Sequence, residues 1–172
     1  MTTQITTQMP IPKDQARIFV ADHDRSIAEM IQDLLQEAGY SASLLQLPKN
    51  AYEEITRTLP DLVILDITLY RRGDGWLTLH KLRQNPLTAS MPVVICSADI
   101  RGLRAREEDL RAMGYPVIEK PFDIDELIAA VQEGLAGRHP ANKIRVKQNP
   151  LYSDIVAVDG VTASMQRSIG GL

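Results

Sequence analysis

The chain has 172 residues, 44% of them hydrophobic, enough for one compact core with little left for a second full domain. Its 19 Lys and Arg face 22 Asp and Glu unevenly: residues 1–137 carry 14 basic and 20 acidic side chains, the remainder 5 and 2. An acidic body with a weakly basic tail argues against nucleic-acid binding. No apolar run approaches the roughly 18 residues of a membrane span, and the opening MTTQITTQMP lacks the basic start and apolar core of a signal peptide, so a soluble, cytoplasmic protein is expected.

Residues 1–15, rich in Thr and Gln and broken by Pro10 and Pro12, read as a flexible lead-in. The first apolar run, RIFVA (17–21), is followed by SIAEMIQDLLQEAG, where Ile27, Met30, Ile31, Leu34, Leu35 and Ala38 fall on one helix face, with Ser26 as a cap at its start and Gly39 at its end. ASLLQL (42–47), DLVILD (61–66), PVVICS (92–97) and PVIEK (116–120) supply four more strands. Helices are expected near 49–58, 75–84, 101–113 and 123–136. Five strands alternating with five helices over 16–137 imply an α/β fold, a doubly wound five-stranded parallel sheet covered on both faces. The single Cys96 lies inside MPVVICSA, can form no internal disulfide, and reads as a small buried apolar residue. Residues 138–172 break the rhythm and form a short C-terminal extension: DIVAVDG (154–160) suggests a short strand and turn, and Val161, Met165 and Ile169 a stripe of a short helix.

In an open parallel sheet, ligands bind beyond the carboxyl ends of the strands. The residues that terminate the apolar runs are Asp22, His23 and Asp24, then Asp66, Ser97 and Lys120. Singly each has a plain explanation, since Asp caps helices, Ser begins turns and a Lys at a strand end is usually solvated. Jointly they suggest a metal site, because carboxylates crowded on one rim repel unless a cation or an ammonium compensates.

VADHD, DLVILDITL with GDG downstream, ICSA and EKPF, each ending a separate predicted strand, make residues 16–137 resemble the receiver domain of two-component response regulators. The resemblance implies a flavodoxin-like fold and phosphorylation on an aspartate by a sensor histidine kinase or a phosphotransfer protein. By position, Asp66 would be the phosphoacceptor, Asp22 an acidic metal-site residue, Thr68 a backbone carbonyl ligand, Ser97 the switch hydroxyl and Lys120 the ammonium. The chemistry asks for such a set: a carboxylate attacking phosphorus meets growing negative charge, which Mg²⁺ and an ammonium offset, and a hydroxyl can bind the new phosphoryl oxygens.

Three positions depart from the family pattern. His23 stands where a second acidic metal ligand is usual, and imidazole is a poorer donor for Mg²⁺. Asp24 could take over the ligation, the site could bind Mg²⁺ weakly or favour Mn²⁺, or the domain could signal without phosphorylation; His23 could also add a pH dependence near neutrality or simply cap the following helix. Tyr70 replaces a frequent Pro in ITLYRRGDG, with one additional residue before Gly73 and with Arg71 and Arg72 as solvated loop charges. Val117 stands where many members carry an aromatic residue that turns inward on activation.

Residues 138–172 are too few for a winged-helix module and show no helix-turn-helix pattern, so output is expected through an unidentified downstream protein, an oligomeric state such as a homodimer, or the tail itself. In KIRVKQ, Lys143, Arg145 and Lys147 alternate with Ile144 and Val146, a pattern that suits basic residues guarding an edge strand; Arg101, Arg104, Arg106 and Arg111 beside Glu107, Glu108 and Asp109 form either a partner surface or a solvated face. The leading expectation is a single-domain phosphoacceptor module that is no enzyme beyond its own phosphorylation and dephosphorylation. The alternatives are a pseudo-receiver, acting as a phosphorylation-independent interaction or dimerisation domain, and an aspartyl-phosphate-type Mg²⁺-dependent phosphatase using Asp22 and Asp24.

Overall fold

The apolar runs become strands because β-branched and aliphatic residues, buried on both faces, suit a parallel sheet. A computed structural model describes residues 16–69 and 73–137, with β1 (Arg17–Ala21), β2 (Ser41–Leu44), β3 (Leu62–Asp66), β4 (Val93–Ser97) and β5 (Val117–Glu119). All neighbours pair in parallel, in the order β2-β1-β3-β4-β5. The lead-in, Tyr70, Arg71, Arg72 and the tail after Gly137, with the elements expected in it, lie outside the described residues.

Alternation along the strands builds two cores. Phe19, Ala21, Leu65 and Ile95 pack with Ile55 of α2 (Ala51–Thr58), Trp76 and Leu79 of α3 (Asp74–Gln84), Leu103 of α4 (Ile100–Arg104) and Leu110 of α5 (Glu107–Ala112). On the other face, Ile18, Val20, Ile64 and Val94 meet Ile31 and Leu35 of α1 (Arg25–Glu37) and Leu127 and Val131 of α6 (Ile124–Ala136). Helices on both faces make the expected doubly wound, flavodoxin-like architecture, and the strand order reverses between β1 and β3, the switch point where such sheets bind ligands.

Three local expectations are corrected. Asp24, not Ser26, caps α1: with extended dihedrals it accepts the Ser26 and Ile27 amides, so the helix begins two residues earlier, at Arg25. Gly39 closes the helix as expected, in a left-handed conformation (φ 89°). β2 ends at Leu44 rather than residue 47, because its partner β1 ends at Ala21. The helix expected over 101–113 is two: Arg106 leaves helical geometry (φ −125°, ψ 4°) and lays its guanidinium over Trp76, 5.2 Å from the ring centre. Each piece carries charges suited to its own dipole, Arg101 and Arg104 in the last turn of α4 and Glu107, Glu108 and Asp109 in the first turn of α5.

Candidate functional site

Register gathers the strand ends. Ala21 lies beside Leu65 and Asp66 beside Cys96, so Asp22, Asp66 and Ser97 share the carboxyl rim of β1, β3 and β4, and Lys120 follows β5. Asp22 and Asp66 are 6% and 2% exposed, too buried to be solvated as carboxylates without a partner. Lys120 is that partner: its Nζ donates to Asp22 Oδ2 at 2.5 Å and to Asp66 Oδ2 at 3.1 Å. Burial works to lower the Lys120 pKa, but the Asp22 hydrogen bond and the charges of Asp66 and Asp22 outweigh it, so the net shift is upward and the ammonium is held charged. A backbone bond from Lys120 N to Ser97 O, 2.9 Å, fixes the lysine against β4.

The remaining acceptors are also engaged. Thr68 N–H donates to Asp66 Oδ1 at 2.8 Å and Asp24 N–H to Asp22 Oδ1 at 2.9 Å. His23, with half its side chain exposed, places Nδ1 at 3.2 Å from Asp66 Oδ2 and 3.6 Å from Asp22 Oδ1. It is therefore no helix cap but the outermost group of the site. Asp24 does not join it: its carboxylate is spent on the first turn of α1, which leaves neither a ligand in place of His23 nor an acid-base partner for Asp22. Ligand atoms of Asp22, His23 and Asp66 lie within 4.8 Å of one another. Two carboxylate oxygens and one imidazole nitrogen fit a divalent cation, with nitrogen the donor that Mg²⁺ favours least.

Two residues that sequence reasoning passed over shape the rim. Ser97 Oγ, fully buried, accepts the Asp99 N–H at 3.1 Å, and Asp99 Oδ1 in turn accepts the Gly102 N–H at 3.1 Å, capping α4. The signal was present in SADIRG, an Asp two residues after the hydroxyl and three before a helical amide. Gly75, quoted only as part of GDG, packs under the loop that follows β3: a Cβ there would overlap the Asp66 carbonyl oxygen and Ile67 Cα. Cys96, behind Asp66, has its thiol pushed up to about 12 by burial, with the nearby Lys120 pulling the other way, and contributes packing, not reactivity.

The model of the response regulator receiver domain matches residues 18–132. The chain is 33% identical over 157 residues to the transcriptional regulatory protein DltR of Streptococcus agalactiae serotype III (strain NEM316), a match covering 88% of this chain and 67% of that protein. It is 30% identical over 126 residues to the transcriptional regulatory protein ZraR of Escherichia coli (strain K12), covering 73% of this chain but only 28% of the relative. The crystal structure of a putative response regulator from Chloroflexus aurantiacus J-10-fl superposes with a TM-score of 0.62 at 30% identity, over 70% of this chain and 98% of that one.

Proposed function

Because the chain belongs to the response regulator receiver family, we propose that Asp66 accepts a phosphoryl group from a sensor histidine kinase or a phosphotransfer protein, and that the domain passes the signal on by contact with another protein. A receiver is a signalling module, not an enzyme acting on a metabolite. The observation that carries the reading is a buried carboxylate at the end of β3 held in place by the Lys120 ammonium and the Thr68 amide. In the transfer, an Asp66 oxygen attacks phosphorus as the phosphorus–nitrogen bond of a phosphohistidine, or the corresponding bond of a small acyl phosphate, breaks. Lys120, already within 3.1 Å of that carboxylate, offsets the charge that builds on the phosphoryl oxygens. Asp22, Asp66 and the Thr68 carbonyl would hold a divalent cation, which supplies further charge compensation when bound. His23, in the place of a carboxylate, weakens that site for Mg²⁺ and makes Mn²⁺ a better tenant.

Transmission starts at Ser97. A Ser97 side chain that turns to donate its hydroxyl to a phosphoryl oxygen carries with it the oxygen that accepts the Asp99 amide, and Asp99 is the residue that caps α4. A helix of five residues depends on such a cap, so a change at Asp66 reaches the α4–β5 surface without the inward-turning aromatic residue that Val117 replaces.

One observation favours a second reading, the phosphorylation-independent pseudo-receiver: the imidazole of His23 stands beside both carboxylates where a third acidic group is usual. One experiment separates the two. The protein is incubated with acetyl phosphate with and without Mg²⁺ or Mn²⁺, and the mass of the intact chain is recorded beside Asp66→Asn. A metal-dependent gain of one phosphoryl group, lost in the variant, is expected. No gain with either metal in the folded protein would leave the pseudo-receiver standing.

A further inference from the structure

LRAREEDLRA (103–112) has one residue, Asp109, outside the strong helix formers. Leu103 and Leu110, two turns apart and so on one face of a continuous helix, are both buried in the same core. Propensity and burial thus favour a single helix, yet the chain forms α4 and α5 with Arg106 between them, out of helical geometry. The break is costly to α5. Arg106 starts it with no side-chain cap, and the amides of Glu107, Glu108 and Asp109, its first turn, have no acceptor within the helix. In a joined helix they would donate to the carbonyls of Leu103, Arg104 and Ala105. The change from basic to acidic residues at the junction suits two separate dipoles, but solvent screens that effect. The stronger hold is the guanidinium of Arg106, a cation over the face of Trp76 at 5.2 Å from its centre.

Trp76 is itself fastened to the site. It lies in the first turn of α3, directly after Gly75, whose N–H donates to Ile67 O at 3.2 Å and which packs against the Asp66 carbonyl with no room for a Cβ. α4 is therefore tied at both ends to the rim: at its start Ser97 holds Asp99, which caps it, and beyond its end Arg106 holds Trp76. We infer that Arg106 is the positioning residue that couples Asp66 to these two helices. Its guanidinium on Trp76 keeps α4 and α5 apart, and a shift of the segment after Asp66 that carries Trp76 away lets residues 100–112 close into one helix. The hold of Arg106 on the junction is independent of phosphorylation, whereas its release rests on Asp66 being the phosphoacceptor. The coupling needs no aromatic residue at Val117.

Hydrogen–deuterium exchange of the full chain, read by mass spectrometry after a short labelling pulse over residues 104–110, tests the coupling beside the mass of the intact protein. The parent is compared with Arg106→Gln and Arg106→Lys, and the parent with Mn²⁺ is compared with and without acetyl phosphate. Arg106→Gln, which removes the cation and keeps a helix former, is expected to slow uptake in this stretch by about 10-fold, while Arg106→Lys, which keeps the cation, exchanges like the parent. A merely structural arginine would do the opposite, since its loss would loosen both helices. Uptake in Arg106→Gln that equals or exceeds the parent's would overturn the inference. With acetyl phosphate, uptake slowed towards the Arg106→Gln value is expected together with the gain of one phosphoryl group. That gain without slower uptake would overturn the coupling while leaving Asp66 the phosphoacceptor. No gain would sink the phosphoacceptor reading instead, and the hold of Arg106 then stands or falls on the two variants alone.

Discussion

Replacing Lys120 with Gln removes the one described cation that touches both buried carboxylates and keeps an amide donor of similar length. Asp22 and Asp66 then face each other with ligand oxygens within 4.8 Å. At an effective dielectric constant of about 20, two unit charges at that separation repel by about 3.5 kcal/mol, in line with the roughly 3–5 kcal/mol lost when a buried pair is broken from one side. Burial of the ammonium itself has a cost that the variant escapes, so a net loss of about 3 kcal/mol is expected. Urea denaturation at about pH 7 without divalent cations measures it as a shift in midpoint at constant slope. The decisive comparison is the double variant Lys120→Gln, Asp66→Asn, in which the repelling charge is gone and most of the loss should return. A loss under about 1 kcal/mol in the single variant, or no recovery in the double, would refute the view that Lys120 exists to balance the two carboxylates.

Gly75→Ala forces a Cβ against the backbone of Asp66 and Ile67, which cannot yield as a flexible side chain would; a loss of about 2–3 kcal/mol in thermal denaturation is expected, with slower labelling of Asp66 by acetyl phosphate. Cys96, its thiol pushed up to about 12, should stay unmodified by a thiol-reactive disulfide at about pH 8 until the protein is unfolded; a full equivalent consumed by the native state would contradict its burial. His80 has its pKa lowered by burial from the ordinary 6.5, so the folded state binds that proton less readily than the unfolded chain. Its contribution to stability is present above 6.5 and is lost as pH falls through the lowered value, which an NMR titration midpoint below 6.5 and a flatter acid limb in His80→Gln would both report.

Most of the fold was legible because a parallel sheet buried on both faces leaves short, nearly continuous apolar runs, and DLVILD or PVVICS can hardly be anything else. The misreadings came where neighbours decide. β2 stops at Leu44 for want of a partner beyond Ala21, which no property of LLQL reveals. The break between α4 and α5 was hidden because Arg and Glu are both good helix formers, so propensity ran straight through Arg106. What ends the helix there is a tertiary contact, the guanidinium over Trp76, although the change from basic to acidic residues across that point carried the signal.

At the site, Asp22, Asp66, Ser97 and Lys120 could be picked out because each ends an apolar run, and parallel strands bring all such ends to one rim. The direction of the three side chains in DHD could not be read the same way. With α1 starting at Arg25, only His23 separates the buried Asp22 from the helix cap, and the cap needs an extended residue whose carboxylate folds back over the first turn. Asp24 meets that need and is thereby withdrawn from the rim. His23 is left as the side chain that the loop turns towards Asp66, so imidazole in the place of a carboxylate acts on the Asp66 pocket itself. The ammonium of Lys120 sits on both buried carboxylates of that pocket, so its removal is the most direct probe of it.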